Sequence, residues 1–271
     1  MSRIAAKFQS LKEQKKSAFI SYICAGDPNY DISLDILKSL PKAGVDLIEL
    51  GVPFLDPAGD GPIIESASKR AVTNGMTLKK VIKMAKEFRK EDDQTPIILM
   101  TYYNPILKYG LKSVFKDAKK SGVDGFLIVD LPMEEEGEVV KYINQSNLDL
   151  IQLIAPTTGE SRARQILKVG SGFIYLVSML GITGTKSAKT KDNKPNLNYL
   201  RKISNLPIVI GFGIKTPEMA KDFAKVGFDG VVVGSEIVKN IAENFNSKKS
   251  AVQIASSAVD LARSFAKKMK Q

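Results

Sequence analysis

The sequence predicts an α/β protein, namely a (β/α)8 barrel with an additional N-terminal helix. Eight short apolar segments recur along the chain and amphipathic segments separate them. The length of 271 residues also suits one such barrel, which typically needs about 250. No linker or low-complexity tract interrupts the pattern, so we expect a single barrel domain over residues 1–271.

The apolar segments are short, β-branched in character and apolar on both faces, which is typical of strands in a covered parallel sheet. The predicted strands are residues 18–23, 47–51, 97–100, 125–129, 150–154, 173–177, 208–211 and 230–233. Helical periodicity marks residues 1–7, 32–42, 78–89, 111–121, 134–145, 161–169 and 217–226. A doubly wound sheet is the alternative, but eight strands and the absence of G-x-G-x-x-G after the first one argue against it.

One short phrase recurs at three junctions between a helix and the next strand. It reads Gly44-Val-Asp46, Gly122-Val-Asp124 and Gly227-Phe-Asp229. A glycine that ends a helix, followed by an aspartate that opens a strand, explains this repeat in structural terms.

Composition excludes several kinds of chemistry. Histidine is absent and Cys24 is the only cysteine, which removes Ser-His-Asp and Cys-His nucleophile systems, nearly all zinc sites and any intramolecular disulfide. A general acid or base must be a carboxylate, Lys, Tyr or Cys, and we expect no metal site. No predicted strand has an interior Lys, which disfavours a Schiff-base mechanism. Cys24 ends the first strand and is expected to be a small core residue.

The formal net charge of +11 comes mainly from lysine, which accounts for 33 of the 40 basic residues. These lysines are spread along predicted helices, so they indicate solvated surfaces with a mild attraction for anionic substrates, and we expect no nucleic-acid partner. No apolar run reaches the roughly 20 residues of a membrane span, and the N-terminus lacks the apolar region of a secretory signal. The sequence thus predicts a cytoplasmic protein with no membrane partner.

Glu49 is the leading catalytic candidate because it lies inside an otherwise apolar strand. Its side chain must point into the barrel or into the helix layer, and a buried carboxyl group without a partner usually has a raised pKa. Two interpretations remain open: an acid/base group at the barrel mouth, or a structural Glu in a salt bridge with a Lys at the strand end. Asp56 and Asp60, in the proline-rich connection 52–62, are either catalytic residues or turn formers.

A phosphate site is predicted where glycines follow the last two strands. Gly211-Phe-Gly-Ile214 comes after the seventh strand, and Gly234-Ser235 comes after the eighth and opens a helix. Glycines let backbone N–H groups approach a phosphate and a helix N-terminus favours the anion, although each pair alone could be a tight turn. The connection 178–195 is predicted to be a mobile lid whose Gly181-Ile-Thr-Gly184 adds donors. Aromatic candidates for the substrate pocket, with packing as the alternative, are Tyr102, Tyr175 and Phe212.

With these segments in place, the chain resembles the tryptophan synthase alpha chain family over essentially its full length. The resemblance rests on motifs in the family's order and spacing: Ala25-Gly-Asp-Pro28, Glu49-Leu-Gly-Val-Pro-Phe54, Asp56-Pro57, Asp60-Gly-Pro62, Tyr103-Asn-Pro105, Asp130-Leu-Pro132, Ala155-Pro-Thr157, Gly181-Ile-Thr-Gly184, Gly211-Phe-Gly-Ile214 and Gly234-Ser235. The resemblance implies a carbon–carbon lyase of tryptophan biosynthesis. Such an enzyme cleaves indole-3-glycerol phosphate to indole and glyceraldehyde 3-phosphate in a retro-aldol reaction.

The resemblance also implies roles for individual residues. Glu49 would be the acid/base group that serves indole C3 and the glycerol hydroxyl, and Asp60 would accept a hydrogen bond from the indole N–H. Thr183 on the lid would help to order Glu49 when the site closes over substrate. The substrate phosphate would bind at Gly184, Gly213, Gly234 and Ser235.

The family's alpha chain pairs with a beta chain that carries pyridoxal phosphate, so the resemblance implies an α2β2 heterotetramer and no cofactor in this chain. The loop around Asp56 and the lid would face that partner. The chain departs from the family's pattern at Leu55, where Ser is usual, at Ala58-Gly59, where Leu-Ala is usual, and at Cys24, where Thr is common. Because residues 55–60 would join the substrate site to the partner, these departures leave the coupling to the beta chain open.

Two other functions stay open on the sequence. Another phosphate-binding barrel isomerase or synthase would account equally well for the glycines after the last two strands. A largely non-catalytic subunit that activates a partner is the second alternative, and Leu55 and Gly59 are its support. The pairing of Glu49 with Asp60 and the lack of a strand Lys favour the lyase.

Overall fold

The structure, a computed structural model, describes residues 1–178 and 190–271. Its centre is a parallel sheet made of β1 (Ala18–Cys24), β2 (Leu47–Gly51), β3 (Ile97–Thr101), β4 (Gly125–Ile128), β5 (Asp149–Leu150), β6 (Gln152–Ile154), β7 (Ile174–Val177), β8 (Ile208–Gly211) and β9 (Gly230–Val233). The strands are hydrogen-bonded in the order β5-β4-β3-β2-β1-β9-β8-β7-β6. Since β1 pairs with both β2 and β9, the sheet curls into the predicted barrel.

The two ends of the sheet meet in the fifth strand position, where they are separated by one residue. The sequence predicted a single strand over residues 150–154, but the structure divides it into β5, which pairs with β4, and β6, which pairs with β7. Ile151 lies between them, and its N–H donates to the carbonyl of Phe126 at 2.9 Å. Each of the two short strands is thus hydrogen-bonded to one neighbouring strand only. The eight predicted strand positions therefore contain nine strands.

Helices cover the outside of the barrel: α1 (Arg3–Glu13), α2 (Tyr30–Ser39), α3 (Pro62–Thr73), α4 (Leu78–Phe88), α5 (Tyr103–Tyr109), α6 (Leu111–Lys120), α7 (Gly137–Gln145), α8 (Glu160–Ile166), α9 (Thr190–Ile203), α10 (Pro217–Val226), α11 (Ser235–Asn246) and α12 (Ala251–Met269). A 3-10 turn spans Pro41–Ala43. The predicted lid was wrong for residues 190–195, which belong to α9 even though Pro195 lies inside it. The polar composition of this helix hid it, since it buries only Asn193, Leu197 and Leu200.

The repeated Gly-x-Asp phrase forms a set of strand clamps at the N-terminal end of the barrel. Each aspartate exchanges two hydrogen bonds with the first residues of the neighbouring strand. Its carboxylate accepts from a backbone N–H and its own N–H donates to that residue's carbonyl, with distances of 2.7–3.0 Å. The pairs are Asp46 with Phe19, Asp124 with Ile97 and Asp229 with Ile208. The structural explanation of the repeat is therefore confirmed.

Helix α1 closes the N-terminal end of the barrel. It buries Ile4, Phe8 and Leu11, and the ring of Phe8 lies 5.6 Å from that of Phe173. Arg3 at its start donates to Asp124 at 2.8 Å. The additional N-terminal helix is thus confirmed, although it extends to Glu13 rather than stopping near residue 7. In the described ranges, no helix is long and apolar enough to cross a membrane.

Candidate active site

A cavity opens at the C-terminal ends of the barrel strands. This is the end at which barrel enzymes carry their active sites, because the connections that follow the strands meet there. Residues of β1, β2, β3, β7 and β9, of the connections after β2, β8 and β9, and of α3 and α11 line it. They are Tyr22, Glu49, Asp60, Ile64, Met100, Tyr175, Phe212, Gly213, Ile214, Lys215, Val232, Gly234, Ser235 and Glu236.

Glu49 lies in the middle of β2 with its carboxyl group at this cavity and is only 1% exposed. Its Oε1 atom is buried without a hydrogen-bond partner. Burial, and to a smaller extent the charge of Asp60, raises the pKa of Glu49 to about 8. The alternative of a salt bridge to a strand-end Lys is wrong within the described part of the chain, where Glu49 makes no ion pair. The group is therefore largely protonated at neutral pH.

Asp60 reaches the same cavity from the connection between β2 and α3, two residues before the helix begins. Burial raises its pKa to about 6, while a hydrogen bond from the Tyr102 hydroxyl opposes part of that rise. The same hydroxyl accepts a hydrogen bond from the N–H of Gly59 at 3.2 Å, and the Tyr102 ring stacks on Phe54 at 5.3 Å. Tyr102, predicted to line the substrate pocket, is not among the residues that line this cavity, but its hydroxyl hydrogen-bonds to both Asp60 and Gly59. The two carboxyl groups thus favour different protonation states at pH 7.

Two buried tyrosines, Tyr22 and Tyr175, lie near Glu49, and the hydroxyl of each packs against a glycine of the neighbouring strand. Tyr22 is the register partner of Glu49, and its hydroxyl occupies the space that a side chain at Gly51 would need. Tyr175 on β7 fills the space above Gly211 in the same way. Burial holds the pKa of both phenols well above the usual value, so both hydroxyls stay protonated and can donate hydrogen bonds. Glycine is required at both positions by this close approach.

Three of the predicted phosphate residues, Gly213, Gly234 and Ser235, come together at the cavity. Gly213 follows β8 in a left-handed turn with Phe212, and Gly234 precedes Ser235, the first residue of α11. Phe212 is held from two sides: its carbonyl accepts a hydrogen bond from the Ser178 hydroxyl, and its ring meets Tyr175 edge-on at 5.9 Å. Backbone N–H groups at such a turn and at a helix N-terminus form a ready anion site. Thr183 and Gly184 of the predicted lid lie outside the described residues.

Other sequence candidates lie away from the cavity. Asp56 is exposed on the connection after β2, and Leu55 beside it is 63% exposed. Cys24 is buried, with its sulfur 3.8 Å from the Ser68 hydroxyl, and burial raises the pKa of its thiol, which agrees with a core role. Over residues 1–178 and 190–271, no group of three His, Cys, Asp or Glu side chains is placed to hold a metal ion.

Among the cavity residues that the sequence interpretation missed are Tyr22 and Lys215. Tyr22 is in a strand whose other residues are buried, where a tyrosine resembles ordinary core packing. Strand periodicity gave no signal for it, because Ile20 and Cys24 share its face of β1 and neither of them lines the cavity. Lys215 follows the phosphate turn directly, and only its position after Ile214 pointed to the cavity.

The fold and the cavity define a class: a (β/α)8 barrel enzyme whose rim pocket offers buried carboxyl groups for acid–base chemistry. A family model described as tryptophan synthase alpha chain matches residues 8–269. The chain belongs to the tryptophan synthase alpha chain family. It is accordingly a lyase of tryptophan biosynthesis that catalyses the alpha reaction, the cleavage of indole-3-glycerol phosphate.

Individual relatives support this assignment at the level of sequence and structure. The tryptophan synthase alpha chain of Gluconobacter oxydans (strain 621H) is 45% identical over 247 residues, 91% of each chain. Tryptophan synthase subunit alpha from Legionella pneumophila str. Paris superposes with a TM-score of 0.91 at 36% identity, covering 100% of this chain and 99% of that one. Tryptophan synthase of Mycobacterium tuberculosis has a TM-score of 0.86 at 27% identity, covering 97% and 98%. The likeness extends over the whole barrel.

Proposed function

We propose that Glu49 is the group that moves protons during cleavage of indole-3-glycerol phosphate. The observation that carries this proposal is a buried carboxyl group at the cavity whose Oε1 atom has no hydrogen-bond partner and whose pKa is about 8. Protonated Glu49 delivers its proton to indole C3, which gives an indolenine cation. The resulting carboxylate takes the proton of the glycerol hydroxyl while the carbon–carbon bond breaks, and its electron pair restores the indole. Glu49 ends protonated, as it began.

Asp60 has the complementary role in this proposal. With a pKa of about 6 it is largely ionised at pH 7, so it can accept a hydrogen bond from the indole N–H as positive charge develops on the ring. The hydrogen bond from Tyr102 holds it in place. Two carboxyl groups with separated pKa values can therefore act as an acid and as an anionic stabiliser in one pocket.

The substrate phosphate is proposed to bind at Gly213, Gly234 and Ser235, with Gly184 contributing from the segment outside the described residues. The left-handed turn at Gly213 and the start of α11 at Ser235 support this position. Thr183 of the same segment as Gly184 is proposed to help order Glu49. Tyr175 and Phe212 form the wall between the phosphate turn and Glu49. Phosphate binding would thus orient the glycerol chain towards the acid.

The chain is further proposed to assemble with a tryptophan synthase beta chain into an α2β2 complex. The exposed Leu55 and Asp56, on the connection that also carries Asp60, offer an apolar and a charged contact that could couple the partner to the site. Pyridoxal phosphate would belong to the beta chain, and the chemistry proposed for this chain needs no cofactor.

The test is cleavage of indole-3-glycerol phosphate by the purified chain, with and without a beta chain. We expect release of glyceraldehyde 3-phosphate by the chain alone and a higher rate in the complex. Cleavage that the beta chain does not change would remove the proposed partner and keep the reaction. No cleavage by a folded chain in either mixture would contradict the catalytic proposal. It would favour another barrel substrate or a non-catalytic activating role.

A further inference from the structure

We propose that Lys215 supplies the positive charge of the phosphate subsite and sets the affinity for the phosphorylated end of the substrate. The inference deepens the proposed function, on which it rests, because it concerns the same phosphate position. Backbone N–H groups provide direction for a bound phosphate but carry no formal charge. A cationic side chain adds a Coulombic attraction that they cannot provide.

Lys215 is placed for this role by the connection between β8 and α10. It comes two residues after Gly213 and one before Thr216, whose side chain caps α10. The residue is half-buried and lines the same cavity as Gly213, Gly234 and Ser235. Most lysines of this chain instead lie on helix surfaces, so this position is unusual for the protein.

The charges around the cavity show why a cation matters there. Among the described lining residues, three carry carboxyl groups, namely Glu49, Asp60 and Glu236, while Lys215 is the single basic one. Glu236 lies in the first turn of α11, beside the proposed phosphate position, where its negative charge opposes a dianion. In the described part of the chain, Lys215 makes no ion pair that would neutralise it. Its ammonium group is therefore available to a phosphate.

The experiment compares Lys215→Met with Lys215→Arg and with Lys225→Met. Lys225 is an exposed residue of α10, so its replacement removes the same net charge away from the cavity. Inorganic phosphate is the probe, measured as a competitive inhibitor of cleavage. For Lys215→Met we expect its inhibition constant and the substrate KM to rise about 10-fold, as for loss of a charged hydrogen bond, with little change in kcat. Lys215→Arg and Lys225→Met should stay within about threefold of wild type.

Three outcomes would overturn the inference. An unchanged inhibition constant in Lys215→Met, with wild type inhibited, rejects the role of Lys215 and leaves the phosphate site intact. An equal rise in Lys225→Met shows an effect of net charge rather than of the subsite. If phosphate does not compete with substrate in wild type, both the phosphate site and the inference fail. Competition by free indole should remain equal in all variants, because indole has no phosphate.

Discussion

Arg70 holds both carboxylate oxygens of Asp27, with Nε 2.7 Å from Oδ1 and Nη2 3.0 Å from Oδ2. Asp27 is 1% exposed and follows β1, whereas Arg70 belongs to α3, the helix that begins directly after the Asp60 connection. This two-point contact fixes the orientation of α3 relative to the end of β1. It thereby helps to position Asp60 at the cavity, although neither partner lines it.

Replacing Asp27 with Ala should impair both stability and activity. The change leaves the partly buried guanidinium of Arg70 without its partner, so we expect the free energy of unfolding to fall by about 3 kcal/mol. A shift of α3 should also lower kcat/KM about 10-fold by moving Asp60. Urea unfolding and the cleavage assay measure the two effects. Glu134→Ala, which breaks the exposed pair with Arg162, is the control and should change both quantities much less. Equal losses in both variants would contradict the positioning role.

Glu49→Gln should abolish cleavage while it leaves substrate binding largely intact. Gln has nearly the same shape but cannot deliver and retake a proton, so kcat should fall by about 10²–10⁴-fold. Binding can be measured by equilibrium dialysis with indole-3-glycerol phosphate. Glu243→Gln, on the exposed face of α11, serves as the control for a change of net charge. Near wild-type turnover in Glu49→Gln would remove the proposed acid/base role.

The pH dependence of kcat/KM should be bell-shaped. Activity should rise through about pH 6 as Asp60 ionises and fall above about pH 8 as Glu49 loses the proton that it must deliver. Because the charge of Asp60 contributes to the raised pKa of Glu49, Asp60→Asn should lower that pKa. Carboxyl-carbon NMR of glutamate-labelled protein can follow Glu49 directly in both forms. A Glu49 that titrates near its ordinary value in wild type would contradict this prediction.

The raised pKa of Glu49 should also make stability depend on pH in a defined direction. The folded protein keeps this proton up to about pH 8, whereas the unfolded chain releases it near the ordinary value of 4.5. Between those values the folded state binds more protons, so stability should fall as pH rises, by at most about 1.4 kcal/mol per pH unit. Glu49→Gln removes this contribution. From pH 5 to pH 8 the unfolding free energy of the wild type should therefore fall relative to that of the variant. A difference that stays constant with pH would be evidence against this contribution.

Asp124→Ala should destabilise the barrel without changing its chemistry. Asp124 is 4% exposed and accepts hydrogen bonds from Arg3, Arg89 and the N–H of Ile97, all at 2.8 Å, at the end of the barrel remote from the cavity. Removing it leaves the largely buried guanidinium of Arg89 with backbone carbonyl acceptors but without its carboxylate, so we expect a loss of about 3 kcal/mol. Thermal unfolding measures this loss, and kcat of the folded protein should be unchanged. Asp260→Ala, in an exposed pair with Arg263, should cost less than about 0.5 kcal/mol.

The barrel and the position of Glu49 could be predicted because each depends on local pattern. Strands buried on both faces leave continuous apolar segments, and a carboxylate among them is conspicuous. The Gly-x-Asp repeat was equally readable, since a helix end and a strand start are set by neighbouring residues. Local pattern therefore located the strands of the barrel and the buried carboxyl group of Glu49.

Features that depend on distant contacts could not be predicted. The division of the fifth strand at Ile151 follows from how β4 and β7 approach it, which no local pattern encodes. The role of Tyr102 depends on the return of the Asp60 connection over β3, and the exposure of Lys215 to the cavity depends on the path of the chain after β8. Side chains of these types occur on many surfaces and in many cores. Their neighbours in three dimensions, rather than in sequence, decide what they do.

The break at Ile151 divides the molecule into two halves with unlike contributions. The half before it carries Glu49 and Asp60, and the half after it carries the proposed phosphate turns and Lys215. Pairing of β1 with β9 joins the halves on one side, whereas on the other the strands β5 and β6 are the two ends of the sheet. Neither half alone could both anchor and cleave the substrate. In the proposed function, a bound substrate is therefore a further connection between the two halves, because it contacts the carboxyl groups of one and the phosphate turns of the other.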